Sequence, residues 1–455
     1  MKEMPSEPDQ PRWRRKPDLI LLECSQGEVF SDKVTWMSPK AIGEFTVSLL
    51  STNTTLLKTL NTKVYLLLVS QPWRCYVLGL SFAKDEEVLQ LLHRFAHGKK
   101  ALLRYDPTIH IHLLPDSGPR VSPVFIGTVM ACHTSTIFNI VSILWSSHGF
   151  IGHGTVCYHV HPSDKGKGTG GDAMDENNFV LKDSWVAEEL ADHEVTILCH
   201  IAGLKGIPKL INNWTVQYNG QDDNTLRYRP ASFNKEANPR FIPHVHKRLL
   251  IYPVGSPIMT FRSQKELLLG LMDGLSVHEQ LYNLKHVLHH NISPNNLIYQ
   301  RAVPVDGAHR NLFVIDFDYA VLIDDGSYHA PKGTGTLPFV SLHTMQQVTA
   351  NQEKIIQKTL LEEDAIVNFE LADDLESFFY VFMWICVLHV GPNGAARNVP
   401  LDNISFVANA WGKGAMGPNG LSGAQDVKIS FVYSPNSIID DQFTPYFDNL
   451  KPLAK

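Results

Sequence analysis

Asn296 and Asp316 offer the clearest chemistry in this chain. Asn296 closes the loop Val287-Leu288-His289-His290-Asn291-Ile292-Ser293-Pro294-Asn295-Asn296, and Asp316 ends the apolar run Phe313-Val314-Ile315. An amide oxygen from a loop and a carboxylate from a strand end are hard donors that can grip a magnesium ion from two sides. Lys182 adds a cation at the end of the strand-like Phe179-Val180-Leu181, where an ammonium can reach the α- and β-phosphates of a nucleotide if a carboxylate holds it. Glu194 is the candidate carboxylate, in a helix read over Val186 to Ile201 with Val195, Leu198 and Ile201 on one face and Asp183 or Ser184 as N-cap. Glu188 and Glu189 are rivals, but Glu194 is the one followed by x-x-Ile-Leu and so set beside the apolar face. Gly152-His153-Gly154-Thr155 lies between Ile151 and the β-prone Val156, Cys157, Tyr158 and Val160. Such a hairpin lets backbone approach phosphate oxygens with no Cβ in the way, although a plain tight turn accounts for the two glycines as well.

These residues need elements to hold them. An N-terminal segment ending near Trp145 has its own α/β rhythm: Asp18 to Glu23 and Ala41 to Val47 are apolar runs, and Tyr76 to Phe82 is strand-like. Between them Leu56, Leu57, Leu60, Val64, Leu67 and Leu68 recur at helical spacing. The polar insert His161 to Asn178 reads as a long loop before the strand of Lys182. Leu249 to Gly255 is a strand entering a Pro/Gly connector. A helix follows over Lys265 to Val287, with Leu268, Leu271, Leu275, Val277, Leu281 and Leu284 as its apolar stripe.

The 455 residues, 44% hydrophobic and 19% charged, suffice for two or three domains with their own cores. A net charge of -6, with 40 basic against 46 acidic residues, lacks the broad cationic surface that nucleic acid or an anionic membrane requires. Neither is expected as a partner. The apolar stretch Phe378 to Val390 is too short to span a bilayer and the N-terminus has no signal-peptide core, so the chain reads as soluble and intracellular, cytoplasmic or nuclear. Six cysteines without a CxxC pair read as reduced core thiols. Pro17, Asp18, Glu44 and Thr46 superficially match the PD...ExK layout of metal-dependent nucleases, but the lysine position is Thr46, so a binding or regulatory role is the reading for this segment. The pairs His110/His112, His159/His161 and His244/His246 could each chelate from one strand face, but none has a third ligand at a convincing spacing, and no structural metal is expected.

Residues from about 151 to 390 resemble a protein kinase, and specifically the fungal-type protein kinase family. The phrases VLKDSW, KGIPKL, HxxISPNNLI, IDFDYA, GTLPFV and DDLESFFYVFMWIC occur in that family's order, and RKPDLILL with YVLGL resembles the extra domain its members carry upstream. The resemblance implies an α+β, bilobal protein-kinase-like fold with a β-rich N-lobe and an α-helical C-lobe, preceded by a small α/β domain. The N-terminal domain would span 1–145 and the kinase-like domain 146–455, with the N-lobe at about 146–255 and a short C-lobe at about 256–455. Mg-ATP would bind in the cleft between the lobes. By the same resemblance Gly152, Gly154 and Thr155 form the phosphate loop, Lys182 and Glu194 the strand-helix ion pair, and Asn296 and Asp316 the Mg2+ ligands. His289 and Asp374 would be structural, Asp374 bracing the catalytic loop, and Thr336 in Gly335-Thr336-Leu337-Pro338-Phe339 would line the approach of a substrate hydroxyl.

The chain also departs from the kinase pattern. Where kinases carry HRD it has His289-His290-Asn291, so the aspartate that takes the hydroxyl's proton is an amide that cannot act as a base. His290 replaces the arginine that pairs with an activation-segment phosphate, which argues against switching by phosphorylation. His343 stands at the glutamate of APE, Asp318 at the glycine of DFG, and Ser293 where protein kinases usually have a lysine near the transferred phosphate. The reading is phosphoryl transfer from ATP to protein Ser/Thr, weakened at Asn291. The alternative is a pseudokinase serving as a nucleotide-binding scaffold or allosteric regulator, and a third reading is a small-molecule kinase. The partner implied is a protein substrate or protein partner.

Overall fold

A computed structural model of the chain describes residues 19–22, 39–45, 63, 79–82, 106, 108–113, 125–130, 137–147, 154–163, 178–229, 233, 238, 241–301, 309–323, 335–361, 365–399, 406–413 and 420–455. The fold is mixed α and β and divides into two compact units, one of Met1–Glu189 with Asn213–Leu250, the other of Leu190–Asn212 with Ile251–Lys455.

In the first unit, β1 (Leu19–Leu22), β2 (Pro39–Phe45) and β3 (Gly79–Phe82) form a small sheet, antiparallel between β1 and β2 and parallel between β2 and β3. β1 and β3 fall within the runs Asp18 to Glu23 and Tyr76 to Phe82, and β2 overlaps the run Ala41 to Val47 but begins at Pro39. Of the helical spacing read over Leu56 to Leu68 only Lys63 is described, and it is helical. Glu44 is on β2, whereas Pro17, Asp18 and Thr46 lie outside the described residues. The principal sheet has seven strands in the order β4-β5-β6-β7-β8-β12-β9. Its strands are β4 (Ile109–Leu113), β5 (Phe125–Met130), β6 (Ile137–Ser146), β7 (Val156–Pro162), β8 (Phe179–Ala187), β9 (Lys209–Thr215) and β12 (His244–Tyr252). A two-stranded hairpin, β10 (Gln217–Tyr218) with β11 (Gln221–Asp222), lies between β9 and β12 in sequence. Strands β4 to β6, which precede or reach residue 146, are hydrogen-bonded in one antiparallel run with β7 and β8.

Strand alternation decides what each residue of β8 faces. Tyr158 pairs with Leu181, and both are buried in a core with Ile109, Val129, Phe138, Ile140, Val156, Val160, Trp214 and Leu250. Lys182, one residue on, pairs with Cys157 and takes the opposite face. Asp183 returns to the core side opposite Val156, and its neighbour Ser184 is also buried. The strand runs on through Trp185 and Val186 to Ala187, a 3-10 turn occupies Glu188–Leu190, and helix α1 covers only His193–His200 with Asp192 at its N-cap position. Asp183 and Ser184 are therefore strand residues, not helix caps. The aromatic and β-branched side chains at 185 and 186 extend the strand where a helix start was read.

In the second unit, helix α2 (Gln264–Lys285) is capped by the Ser263 hydroxyl, which accepts from Glu266 N at 3.1 Å. It ends at His286 in the left-handed region. Its buried face runs through Leu267, Gly270, Leu271, Gly274, Val277, His278 and Leu281, whereas Leu275 and Leu284 of the expected stripe are exposed. Two glycines explain the shift: a Cβ on Gly270 would lie 2.6 Å from Tyr299 Oη, and one on Gly274 2.9 Å from the Phe378 ring. The glycine face is the packed one because only bare backbone lets those aromatics so close. Three short strands follow one another around the site: β13 (Gly255–Pro257), β15 (Leu297–Gln300) and β16 (Leu312–Val314) make one sheet, and β14 (Val287–Leu288) pairs with β17 (Val321–Leu322). Helix α3 (Leu342–Ile356) precedes α4 (Leu371–Leu388), whose Tyr380, Val381, Phe382, Met383, Ile385, Cys386 and Val387 are all buried. Helices α5 (Val407–Lys413), α6 (Gly420–Tyr433), α7 (Pro435–Gln442) and α8 (Lys451–Ala454) complete the chain. Among the described residues no helix is long and apolar enough to cross a membrane. Cys199 and Cys386 are free thiols.

Candidate active site

The loop after β14 is organised by one buried carboxylate. Asp374, in the first turn of α4, accepts from His289 N and His278 Nε2 at one oxygen, each at 2.8 Å, and from His290 N at 2.9 Å at the other. Burial opposes its charge, but the His278 hydrogen bond and the neighbouring imidazoles hold its pKa at about 2. An ionised acceptor of this kind fixes two successive backbone amides and so sets the turn that presents Asn291. His289 donates from Nε2 to Ile315 O at 3.0 Å and accepts the Asn291 amide at Nδ1 at 3.3 Å, which makes its ring a neutral bridge between loop and strand end. Burial lowers its pKa, in keeping with that tautomer. Phe317, fully buried, packs its ring 4.8 Å from His289.

The metal-type donors are drawn together through backbone. Asn296 donates from Nδ2 to Asn291 O at 2.8 Å, and its own carbonyl accepts Ile315 N at 2.9 Å. With the amide nitrogen committed, Oδ1 is the atom left to meet a cation. Asp316 follows Ile315 with φ at 70°, a left-handed backbone that turns the chain sharply at the end of β16. Asn291 is nearly buried, and its Oδ1 meets the Thr336 hydroxyl at 3.1 Å. Ser293 is buried at the start of the 3-10 turn Pro294–Asn296, accepting Asn296 N at its carbonyl at 3.0 Å. His289, Asn291, Ser293, Asn296, Asp316, Thr336 and Asp374 thus all belong to the second unit, six of them linked by these contacts and Asp316 joined through the chain at Ile315. Glu194 belongs to the same unit, in the first turn of α1. That helix is pinned at both ends, His193 Nε2 to Ala320 O and His200 Nε2 to Lys285 O, each at 2.8 Å.

Lys182, Gly154 and Thr155 belong to the first unit. Lys182 is buried in mid-strand; Gly154 has φ at 53°, a conformation that glycine adopts without strain, and Thr155 beside it is buried. Gly152 lies outside the described residues.

A model of the fungal protein kinase family matches residues 83–386, more than half of the chain. The chain belongs to that family. No curated protein matches it.

Other features of this fungal protein kinase family member bear on its chemistry. His290 stacks on Phe369 with ring centroids 4.0 Å apart, and among the described residues neither of its ring nitrogens has a hydrogen-bond partner. Burial pushes its pKa down to about 4, so the imidazole is neutral and cannot pair with a phosphate as an arginine would. It lines a cavity of about 10 Å³ together with Asn291, Thr336, Phe339 and Thr344. That is room for about one water. His343 is half exposed and sits beside Asp373, its Nδ1 3.3 Å from the carboxylate.

A buried charge network in the first unit was not visible in the sequence. Arg248 Nε donates to Asp183 at 2.9 Å, Arg248 Nη2 to Asp106, and Arg248 Nη1 to Thr108 at 2.6 Å. His246 joins Asp183 through Nε2 and Asp223 through Nδ1 at 3.2 Å, and stacks on Trp185 at 4.6 Å. Burial disfavours charge on His246, yet Asp183 and Asp223 raise its pKa to about 9. Asp106, Asp183 and His246 offer ligand atoms within 4.8 Å of one another, a metal-like spacing. The guanidinium already supplies the cation there. Of the histidine pairs, His159 bonds Asn178, His161 its neighbour's carbonyl and His244 the Ile242 carbonyl. His110 and His112 lie on β4.

Proposed function

We propose that this fungal protein kinase family member binds Mg-ATP and transfers a phosphoryl group to serine or threonine of a protein, at a rate held down by Asn291. The observation that carries the reading is the junction of Asn296 and Ile315-Asp316, where a committed amide nitrogen leaves an amide oxygen and a carboxylate as the donor pair. That donor set fits Mg2+, a hard cation that takes oxygen ligands from one or two protein groups. When bound, the ion would neutralise charge on the phosphates. Lys182 is assigned to the phosphates, Glu194 to the carboxylate that such a lysine requires, and Gly152, Gly154 and Thr155 to the phosphate loop.

Asn291 meets the acceptor hydroxyl in this reading. Its carboxamide orients the hydroxyl by hydrogen bonding but takes no proton at any working pH. General-base help is worth about 10² to 10⁴ in rate, roughly 3 to 5 kcal/mol. A kinase turning over at about 1 to 100 per second would fall to about one per second or far below. Positioning and charge stabilisation supply most of the catalysis in phosphoryl transfer, so a residual rate survives. Thr336, on the Asn291 amide oxygen, and the Thr336-Leu337-Pro338-Phe339 stretch favour a protein acceptor over a small molecule.

The second reading, a nucleotide-binding scaffold, is favoured by the neutral, unpartnered His290 together with Asn291. One comparison separates the two: transfer of radiolabelled phosphate from ATP by wild type, Asn291→Asp and Asp316→Ala. Asn291→Asp is expected to raise the rate at least about tenfold, and Asp316→Ala to abolish it. An unchanged rate in Asn291→Asp, with Asp316→Ala no lower, gives the scaffold reading.

A further inference from the structure

Lys428 on α6 is fully buried, an uncommon place for an ammonium. Its Nζ donates to the Val340 carbonyl and lies 3.6 Å from the centroid of the Tyr380 ring, with the Trp411 ring next to Tyr380 at 5.8 Å. Burial in these aromatics pushes its pKa down to about 7, against the attraction of Glu376. Val340 belongs to the stretch that begins with Thr336, and the rest of that stretch is held as well. Ser341 Oγ donates to Asp373, Leu342 N to Glu376 Oε1 at 2.9 Å, and Tyr380 Oη braces the same Glu376 oxygen at 2.7 Å. Asp373, Glu376 and Tyr380 lie on α4, and Asn291 holds Thr336. Lys428 comes from α6, and it acts at the residue after Phe339, whose amide closes the turn on Thr336 O at 2.8 Å.

We infer that Lys428 is a positioning residue whose ammonium, through the Val340 carbonyl, holds residues 336–343 so that Thr336 stays on Asn291. The Nζ donor on a carbonyl and a ring face adds to the Asp373 and Glu376 contacts an anchor that needs no phosphate. The inference rests on the proposed reading of this segment as the approach for a protein acceptor, but its test needs neither nucleotide nor acceptor.

The test is backbone hydrogen exchange on the full chain, wild type beside Lys428→Met and Lys428→Arg. The amides of Phe339, Leu342 and Met345 are hydrogen-bonded and report on the segment. Lys428→Met keeps much of the side-chain volume and removes the charge; exchange at these amides is expected to rise roughly tenfold while α2 and the second half of α4 keep their protection. Lys428→Arg should restore wild-type exchange, since it keeps a cation that can reach the carbonyl and face the ring. Unchanged exchange at 339–345 in Lys428→Met overturns the inference. A rise spread evenly over α4, α5 and α6 overturns it too, because that is the signature of a lysine serving only as packing. Should Lys428→Met not fold, Lys428→Gln carries the same comparison. Failure of the phosphotransfer assay would leave this outcome standing, and failure here would leave the donor pair of Asn296 and Asp316 untouched.

Discussion

Two buried histidines in this chain answer burial in opposite ways. His246, in the first unit, has Asp183 on one ring nitrogen and Asp223 on the other, and its pKa rises to about 9. His290, in the second, has its ring on Phe369 and, among the described residues, no partner at either nitrogen, and its pKa falls to about 4. Asp374 is near His290, but it is the backbone amide, not the ring, that the carboxylate holds. Burial alone therefore does not set charge; what sets it is whether a carboxylate meets the ring. The first unit uses ion pairs to tie strands together. Around its loop, the second uses the ionised Asp374 to fix backbone and keeps His289 and His290 neutral.

The largest expected effect comes from breaking the ion network. Arg248→Met leaves Asp106 and Asp183 buried without their cation, and removing one partner of a buried pair costs about 3–5 kcal/mol. Thermal unfolding followed by a probe in the first unit should show a markedly lower transition. A loss below about 1 kcal/mol would mean that water reaches the carboxylates and that the network is not buried in solution.

The next effect is a pH dependence. The folded pKa of His246, about 9, lies above its ordinary 6.5, so the folded state binds this proton more tightly. Its contribution is fully present below about pH 6.5 and is lost as pH rises through 9, on the order of 3 kcal/mol in total. Asp183 shifts the other way: burial opposes its charge, but Arg248 and His246 hold its pKa below the usual carboxylate value of 3.8. Its contribution is present above that value and lost as pH falls below it. The first unit should thus be most stable between about pH 4 and 6.5. Melting temperatures from pH 6 to 9.5 check this, and the decline should flatten in His246→Gln. A flat wild-type profile over that interval would break the comparison at His246.

How much of this could be read in the sequence follows from how far each arrangement reaches along the chain. Asn296 and Asp316 can be singled out as candidate donors in the sequence because each sits in a local pattern, a polar loop and an apolar strand end. Asp183, His246 and Arg248 were not legible, because Asp183 meets His246 63 residues on and Asp106 meets Arg248 142 residues on. Only the strand order brings them together. The start of α1 differs from the reading because Trp185 and Val186 satisfy a strand as well as a helix, and β8, which has β12 as its other neighbour, carries them to Ala187. The face of α2 was misread because its packing positions are Gly270 and Gly274, which carry no hydrophobic signal. Lys428 gave none either: a lone lysine in a helix looks solvated until Tyr380 and Trp411 close over it.

The smallest expected effect sits at the other histidine. If His290 is a neutral ring held by stacking alone, His290→Phe removes two nitrogens that bond nothing and keeps a flat ring against Phe369. The change in shape is modest, and such swaps usually cost under about 1.5 kcal/mol. The loss of two unsatisfied polar atoms offsets part of that. Unfolding of the second unit should therefore move by about 1 kcal/mol at most in either direction, with no change in its pH dependence between 5 and 8. A loss above about 3 kcal/mol would show that the imidazole is bonded after all, through a water shared with the Thr344 hydroxyl, which also lacks a partner among the described residues. In that event both histidines would be anchored by polar partners, and they would differ only in the charge of what they meet.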